Sequence, residues 1–450
     1  MKALSTIPRA PGALPLLGHL PRLARDPLAL LSSLPRHGDV VRLRVGPTDA
    51  VVVCTPELTE QVLRDDRTFD KGGFLIDRAR ESLGDGVGTC VHAKHRRQRR
   101  LVQPAFHSSR LPAYGETMAR QAVAMVESWQ EGQVLDVVAE LMRFTSSTLV
   151  ATMFSDGLPP AVLRQAVDDV ETVVNGGARR MLLPPPLDRL PTPANRRHHR
   201  AIARLRATVG GIIAARRDCG GGSDDLMSLL LDARDGDAGL TDTELMDQAI
   251  TFFVAGTDTV ATTLAWVLYD LARHPDVEER LHTEVDEELA GEAPRYDHVH
   301  RLALTGRVVT ESLRLRSPAW LFTRTTTTDT DLGGHAIPAG TTVVYSQYLL
   351  HHRQDLYPDP EMFQPDRWLA CHDPQPPHGA FIAFGGGARK CAGDRFGLAE
   401  ASIALAAIAA RWRLRPLSGR DVRPALSGVL RPRDLRMRIV ARHPAPVSQA

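Results

Sequence analysis

One cysteine in this chain has neighbours that would let its sulfur act as a ligand. The run Phe384-Gly385-Gly386-Gly387-Ala388-Arg389-Lys390-Cys391-Ala392-Gly393 puts it after a glycine-rich loop and at the expected start of a helix. Glycines let backbone approach a flat ligand closely. The positive end of a helix and its free N–H groups favour a thiolate there. Arg389 can pair with an anionic group on the same ligand. A structural thiol beside a flexible loop is the plainer reading of a single cysteine, and it stays open at this point.

A second group is Ala255-Gly256-Thr257-Asp258-Thr259, inside a long helical pattern. A mid-helix glycine costs about 1 kcal/mol relative to alanine, and threonine and aspartate are weak helix formers. Together they suggest a local opening of the helix that makes room for a small ligand. Asp258 and Thr259 would then set an acid beside an alcohol, a pair able to relay protons. A tolerated packing irregularity is the alternative.

Three further patterns are weaker. Glu311 and Arg314 share a helix face and can pair, although most such pairs are surface decoration. Phe363 to Trp368, with Arg367 inside it, carries no signal by itself. His95 and Arg99 lie one helical turn apart and can grip carboxylates. Arg96, Arg97 and Arg100 spread around the same helix and also read as a solvated basic face.

These groups need elements to hold them. The longest helix signal starts at Thr241, which with Glu244 forms a capping box. It ends where His274-Pro275 stops it. At 1.5 Å per residue it spans roughly 50 Å, the length of a central spine. Earlier come a Pro- and Gly-rich extended lead-in (residues 1–24) and a hairpin signal, Val40 to Val45 and Ala50 to Cys54, split by Gly46-Pro47. Residues 72–91 read as loop, rich in glycine and aspartate. Helical periodicity resumes at His92 and dominates from about 113 to 180. Proline makes Leu182 to Pro193 irregular, and Gly220 to Ser223 marks a surface loop. Helices follow near 276–290 and 300–315, then short strands at Leu332-Gly333-Gly334 and Thr341 to Tyr345. Residues 351–390 are mostly loop, and a helix runs from just after Cys391 to about Trp412.

Bulk composition narrows the class. The chain has 450 residues, 43% hydrophobic, and a formal net charge of +2. Length alone suggests two or three domains, or one large enzyme fold, and composition does not decide between them. The charge gives no case for nucleic-acid or membrane-surface binding. Five cysteines at wide spacings, without a CxxC pair, argue against a disulfide framework and for a reducing, cytoplasmic setting. No 18-residue apolar run marks a membrane span, and no signal-peptide core is present.

Taken in order, these patterns resemble the cytochrome P450 superfamily. Phe384, Gly387, Arg389, Cys391 and Gly393 match FxxGxRxCxG, and Ala255 to Thr259 match the acid–alcohol motif of the distal helix (241–274). Glu311 and Arg314 match ExxR, with Arg367 as its later partner. His95 and Arg99 fit the HxxxR-type element, and Arg324 stands where many bacterial members place another propionate-binding arginine. The resemblance covers nearly the whole chain. It implies one P450 haem domain over 1–450, mainly α with small β-sheets, shaped like a triangular prism. It also implies haem b bound through Cys391 in the 384–393 loop.

The same resemblance distributes roles. His95, Arg99, Arg324 and Arg389 would hold the propionates, and Ala255 and Gly256 would leave space for O2. Asp258 and Thr259 would manage protons, while Glu311, Arg314 and Arg367 brace the proximal side. The pocket would be lined by Phe74, Leu75, Val87, Val254, Ala255, Trp320, Leu321, Phe322 and Val429, with residues near Asn175 to Leu183. That lining suits a hydrophobic small molecule. No flavin or iron–sulfur pattern follows Cys391, so a ferredoxin and an NAD(P)H-dependent ferredoxin reductase are implied, acting on a monomer. The basic residues Arg96, Arg97, Arg100 and Lys390 offer such a partner a face. Stretches such as HGDVVRLRVGP and LPTPANRR look like actinobacterial members that oxidise cyclised terpenes. Macrolide or fatty-acid hydroxylation, and a haem-thiolate peroxygenase or isomerase, are the alternatives.

Overall fold

The computed structural model describes residues 3–442, apart from 155–158, 182–189, 219–224, 237, 373, 418, 420 and 427. The irregular stretch after Leu182, the Gly220 to Ser223 loop and most of the pocket lining expected near Asn175 to Leu183 fall outside the residues whose side chains are described.

A helix of 32 residues, Asp242–Arg273, forms the spine. Thr241 Oγ1 accepts from the Glu244 N–H and the Glu244 carboxylate accepts from the Thr241 N–H, which closes the capping box the sequence predicts. His274 ends it, and Pro275 opens the next helix, Pro275–Leu289. The spine is apolar on nearly every side because four helices surround it: Val137–Met153, Pro193–Asp218, Ala303–Leu315 and Asp394–Arg411. Among the described residues it is the one helix long and apolar enough to cross a membrane. Of its most apolar window 78% is buried within the protein, the setting of a core helix.

A five-stranded sheet stands beside the helices. Its order is Val40–Val45, Thr48–Val53, Thr342–Tyr345, Phe322–Thr326, Phe69–Lys71. The predicted hairpin forms its first pair, with Val41 opposite Val52. Helices and sheet carry separate hydrophobic clusters, one around Leu264, Trp266 and Leu405, the other around Val51, Val343 and Leu349. The Leu332-Gly333-Gly334 signal is a tight hairpin in which both glycines have positive φ, 63° and 78°.

Two sequence expectations need correction. Residues 72–91 are not all loop: Gly73–Leu83 is a helix, and only the part after Gly84 is irregular. Glycine and aspartate dominate this stretch, but Phe74, Leu75 and Ile76 give the helix an apolar start, and it packs on strand Phe322–Thr326. The lead-in is also not wholly extended, because Leu20–Arg25 forms a short helix with proline in its first turn.

Candidate active site

The cysteine loop is held by its own backbone. The Cys391 N–H donates to Phe384 O at 2.9 Å, and Gly385 N–H to Ile382 O at 2.8 Å. Gly385 and Gly387 have φ of 68° and 61°. At Gly387 a Cβ would lie 2.1 Å from Leu63 O, so only glycine lets the loop pack on helix Pro56–Arg64. Arg99 Nη1 ties the loop from outside by donating to Lys390 O at 2.7 Å. Helix Asp394–Arg411 starts directly after, with Gly393 at its N-cap. The Cys391 side chain keeps an exposed face. Burial nevertheless pushes its thiol up from the ordinary value, against the Gly393 N–H and the Arg99 and Lys390 charges that pull it down. A metal cation on the sulfur would favour the thiolate against that burial.

Below the loop lies a dense buried network. Glu311 and Arg314 are both fully buried and pair through two bonds, 2.8 and 3.0 Å. Arg314 also donates to His351 O, Pro360 O and Met362 O. The Trp368 indole and the Gln364 N–H donate to the Glu311 carboxylate, and Arg367 Nε reaches it at 3.5 Å. His351 then accepts from the Ile382 N–H at 3.0 Å, two residues before Phe384. This pair is no surface decoration: it clamps the 351–368 meander under the cysteine loop.

The spine passes Ala255 to Thr259 without opening, which corrects the expected local break. Thr259 Oγ1 donates to Ala255 O at 2.7 Å and Thr263 Oγ1 to Thr259 O at 2.8 Å, so hydroxyls cover the carbonyls of an intact helix. Ala255 is exposed, Gly256 and Thr259 are half-buried, and Thr257 and Asp258 are buried. A Cβ on Gly256 would point at Leu149 Cδ2, 3.1 Å away, so this glycine serves the contact with helix Val137–Met153. Thr145 Oγ1 grips Thr257 O from the same helix at 2.9 Å. Asp258 and Thr259 do not bond to each other. Asp258 Oδ1 instead accepts from Arg431 Nε at 2.7 Å and from Thr262 Oγ1 at 3.4 Å.

The expected propionate residues separate into different states. Arg389 is spent within the protein, on Asp66 (2.9 Å), Asp70 (3.1 Å) and Cys90 O (2.8 Å). His95 is 3% exposed, and burial, then the Arg389 charge, lowers its imidazole to about 3. That keeps the imidazole neutral near pH 7. Arg324 is 1% exposed, and its Nε and Nη1 have no partner among the described residues. Lys71, which the sequence reading missed, sits opposite Arg324 in the strand register, with its ammonium 5.2 Å from the Phe322 ring centre. Burial, then the Arg324 and Arg389 charges, holds this amine well below its usual range. Nothing in the local sequence Phe69-Asp70-Lys71-Gly72 marks it; only strand pairing does.

The expected pocket residues come from several elements. Phe74 and Leu75 lie on helix Gly73–Leu83, Val254 on the spine and Trp320, Leu321 and Phe322 at the edge of the sheet cluster, all half-buried. Val87 is buried against the helical cluster, and Val429 sits half-buried at the turn before strand Leu430–Pro432. A surface groove of about 370 Å³ lies elsewhere, between Gly210, Ile213 and Met246 at the start of the spine.

Residues 8–438 match the family model described as Cytochrome P450. The chain belongs to the cytochrome P450 family. It is 45% identical over 437 residues to a pentalenene oxygenase of Streptomyces avermitilis, covering 97% of each chain. It is 44% identical to a cyclooctat-9-en-7-ol 5-monooxygenase of Streptomyces melanosporofaciens (91% of this chain, 90% of that one). A cyclooctatin synthase of the same organism is 45% identical, with 92% and 91% covered. This P450 is a monooxygenase, and its family implies a haem. The residues fit one: a loop-held cysteine sulfur with an open face, and the buried Arg324, two of whose nitrogens have no partner among the described residues, opposite the amine of Lys71, where a dianionic edge would be welcome.

Proposed function

We propose that this P450 hydroxylates a cyclic terpene, a sesqui- or diterpene, at a defined carbon. Haem b would be the group held, and a ferredoxin reduced by an NAD(P)H-dependent reductase would supply electrons. The observation that carries the substrate class is the near full-length likeness to enzymes named for pentalenene and cyclooctat-9-en-7-ol. The half-buried apolar side chains Phe74, Leu75, Val254, Trp320, Leu321, Phe322 and Val429 support a hydrocarbon ligand.

Thiolate-ligated haem supplies the oxygen activation when bound. The chain's own residues supply the rest. Cys391 is the iron ligand, and Lys71 and Arg324 take the propionates with the neutral His95. Arg99 fixes the loop through Lys390 O. Ala255 leaves space on the distal face, and Thr259 and Asp258 carry protons inward. Arg97 and Arg100 are already paired with Glu244 and Asp235, and Lys390 with Asp394, so the docking face for an acidic partner is reduced chiefly to Arg96. The free thiols of Cys54, Cys90 and Cys371 accord with a cytoplasmic location.

The test is a ligand screen on the haem-loaded protein, with cyclic sesqui- and diterpenes beside macrolactones and long-chain fatty acids. A low- to high-spin Soret shift and a hydroxylated product with a cyclic terpene are expected. A shift and product with only a macrolactone or fatty acid would overturn the substrate class.

A further inference from the structure

Asp258 is 1% exposed and Arg431 is 7% exposed, yet the two meet through a single bond, Arg431 Nε to Asp258 Oδ1 at 2.7 Å. Asp258 Oδ2 and Arg431 Nη2 are buried and have no hydrogen-bond partner among the described residues. The contrast with Glu311 and Arg314 is informative. That pair is double and fully saturated, the form a purely structural ion pair takes. The Asp258 pair holds a charge in place and leaves one carboxylate oxygen uncommitted.

Arg431 is itself anchored. It lies on strand Leu430–Pro432, where the Trp266 indole donates to Leu430 O at 2.7 Å and the Leu430 N–H donates to Pro318 O at 3.0 Å. Trp266 comes from the same spine as Asp258, two turns on. The strand follows directly on Val429. Thr259 gives its hydroxyl hydrogen to Ala255 O, so it does not set the direction of Asp258. Arg431 does.

We infer that Arg431 is a positioning residue for the monooxygenase reaction: it holds Asp258 as a carboxylate with Oδ2 free to take and pass a proton. This rests on the reading of Asp258 as a proton carrier. It adds that the carrier's charge and aim come from a strand 173 positions away in the chain, next to the turn that lines the pocket.

Three variants test it in the full-length, haem-loaded protein: Asp258→Asn, Arg431→Gln and Arg431→Lys. Infrared difference spectra locate the Asp258 carboxylate band by its loss in Asp258→Asn. Arg431→Gln keeps donors but no charge, and should convert that band to the carbonyl stretch of a protonated acid; Arg431→Lys should not. Peroxide released per NADPH, measured with the terpene that shifts the spin state most, should rise several-fold in Arg431→Gln. Arg431→Lys should stay within about twofold of wild type. An unchanged carboxylate band in Arg431→Gln overturns the inference even if its melting temperature falls. If Asp258→Asn leaves peroxide release unchanged while the infrared result holds, the proton-carrier reading fails and the charge-holding role of Arg431 survives.

Discussion

Lys71 and Arg324 stand directly opposite each other on the antiparallel strands Phe69–Lys71 and Phe322–Thr326. Like charges in that relation repel, and Arg324 has two buried nitrogens without a partner among the described residues. A fold keeps such a pair when an anionic ligand resolves it. Effects on the apoprotein and on ligand retention should therefore have opposite signs. Arg324→Leu should not lower the urea midpoint of the apoprotein. It should weaken haem retention roughly 10–100-fold, the size of one or two charge-assisted hydrogen bonds. Haem transfer to apomyoglobin measures this. Retention equal to wild type would remove Arg324 from the propionate site.

The Glu311–Arg314 pair makes a different demand. Both groups are fully buried, and Arg314 also serves three carbonyls. Removing one partner leaves a buried charge alone, a loss of about 3–5 kcal/mol. Glu311→Gln should show that loss in urea unfolding, and Arg314→Lys should not rescue the arginine, because an ammonium lacks the planar fork. A loss under about 1 kcal/mol in Glu311→Gln would contradict the clamp.

Gly387 tests the cysteine loop without removing a polar side chain. Its φ is 61° and the Cβ position meets Leu63 O at 2.1 Å. Gly387→Ala should displace the loop and with it Cys391. The ferrous carbonyl spectrum should lose the long-wavelength band of thiolate ligation while the far-ultraviolet circular dichroism of the helices persists. A retained band would show that the loop can yield without moving the sulfur.

The histidines set an acid limit. His95 falls to about 3 and His282 to about 4, in both cases through burial first. Unfolded, each titrates near ~6.5. Between those values the unfolded chain binds protons that the folded chain does not. Stability is then full above about pH 6.5 and is lost as pH falls, by about 1.4 kcal/mol per pH unit for each such histidine. Unfolding free energies at several pH values between 7 and 5 should show this slope, and His95→Asn should reduce it by one histidine's share. An unchanged slope would place the proton uptake elsewhere.

What the sequence determined was local. Cys391 with its glycines, the capping box at Thr241, the Glu311–Arg314 spacing and the hairpin from Val40 to Cys54 each lie within a few turns of chain. Backbone geometry and side-chain reach decide such features before the chain is folded. Their order was enough to place the chain in its family. The helix Gly73–Leu83 escaped because glycine and aspartate outweighed a short apolar start, and the packing surface that rescues it comes from the distant strand Phe322–Thr326.

Tertiary structure decided which charges meet. Arg389 finds Asp66 at a separation of 323 residues, and Arg431 finds Asp258 at 173. A strand register sets Lys71 against Arg324. Local spacing carries no record of these pairings, because an ion pair depends on where elements dock. Docking follows from apolar burial over the whole core, which is non-directional and blind to the charges it brings together. The motif arginine was therefore readable from the sequence, while its partners, and the unclaimed cation beside it, were not.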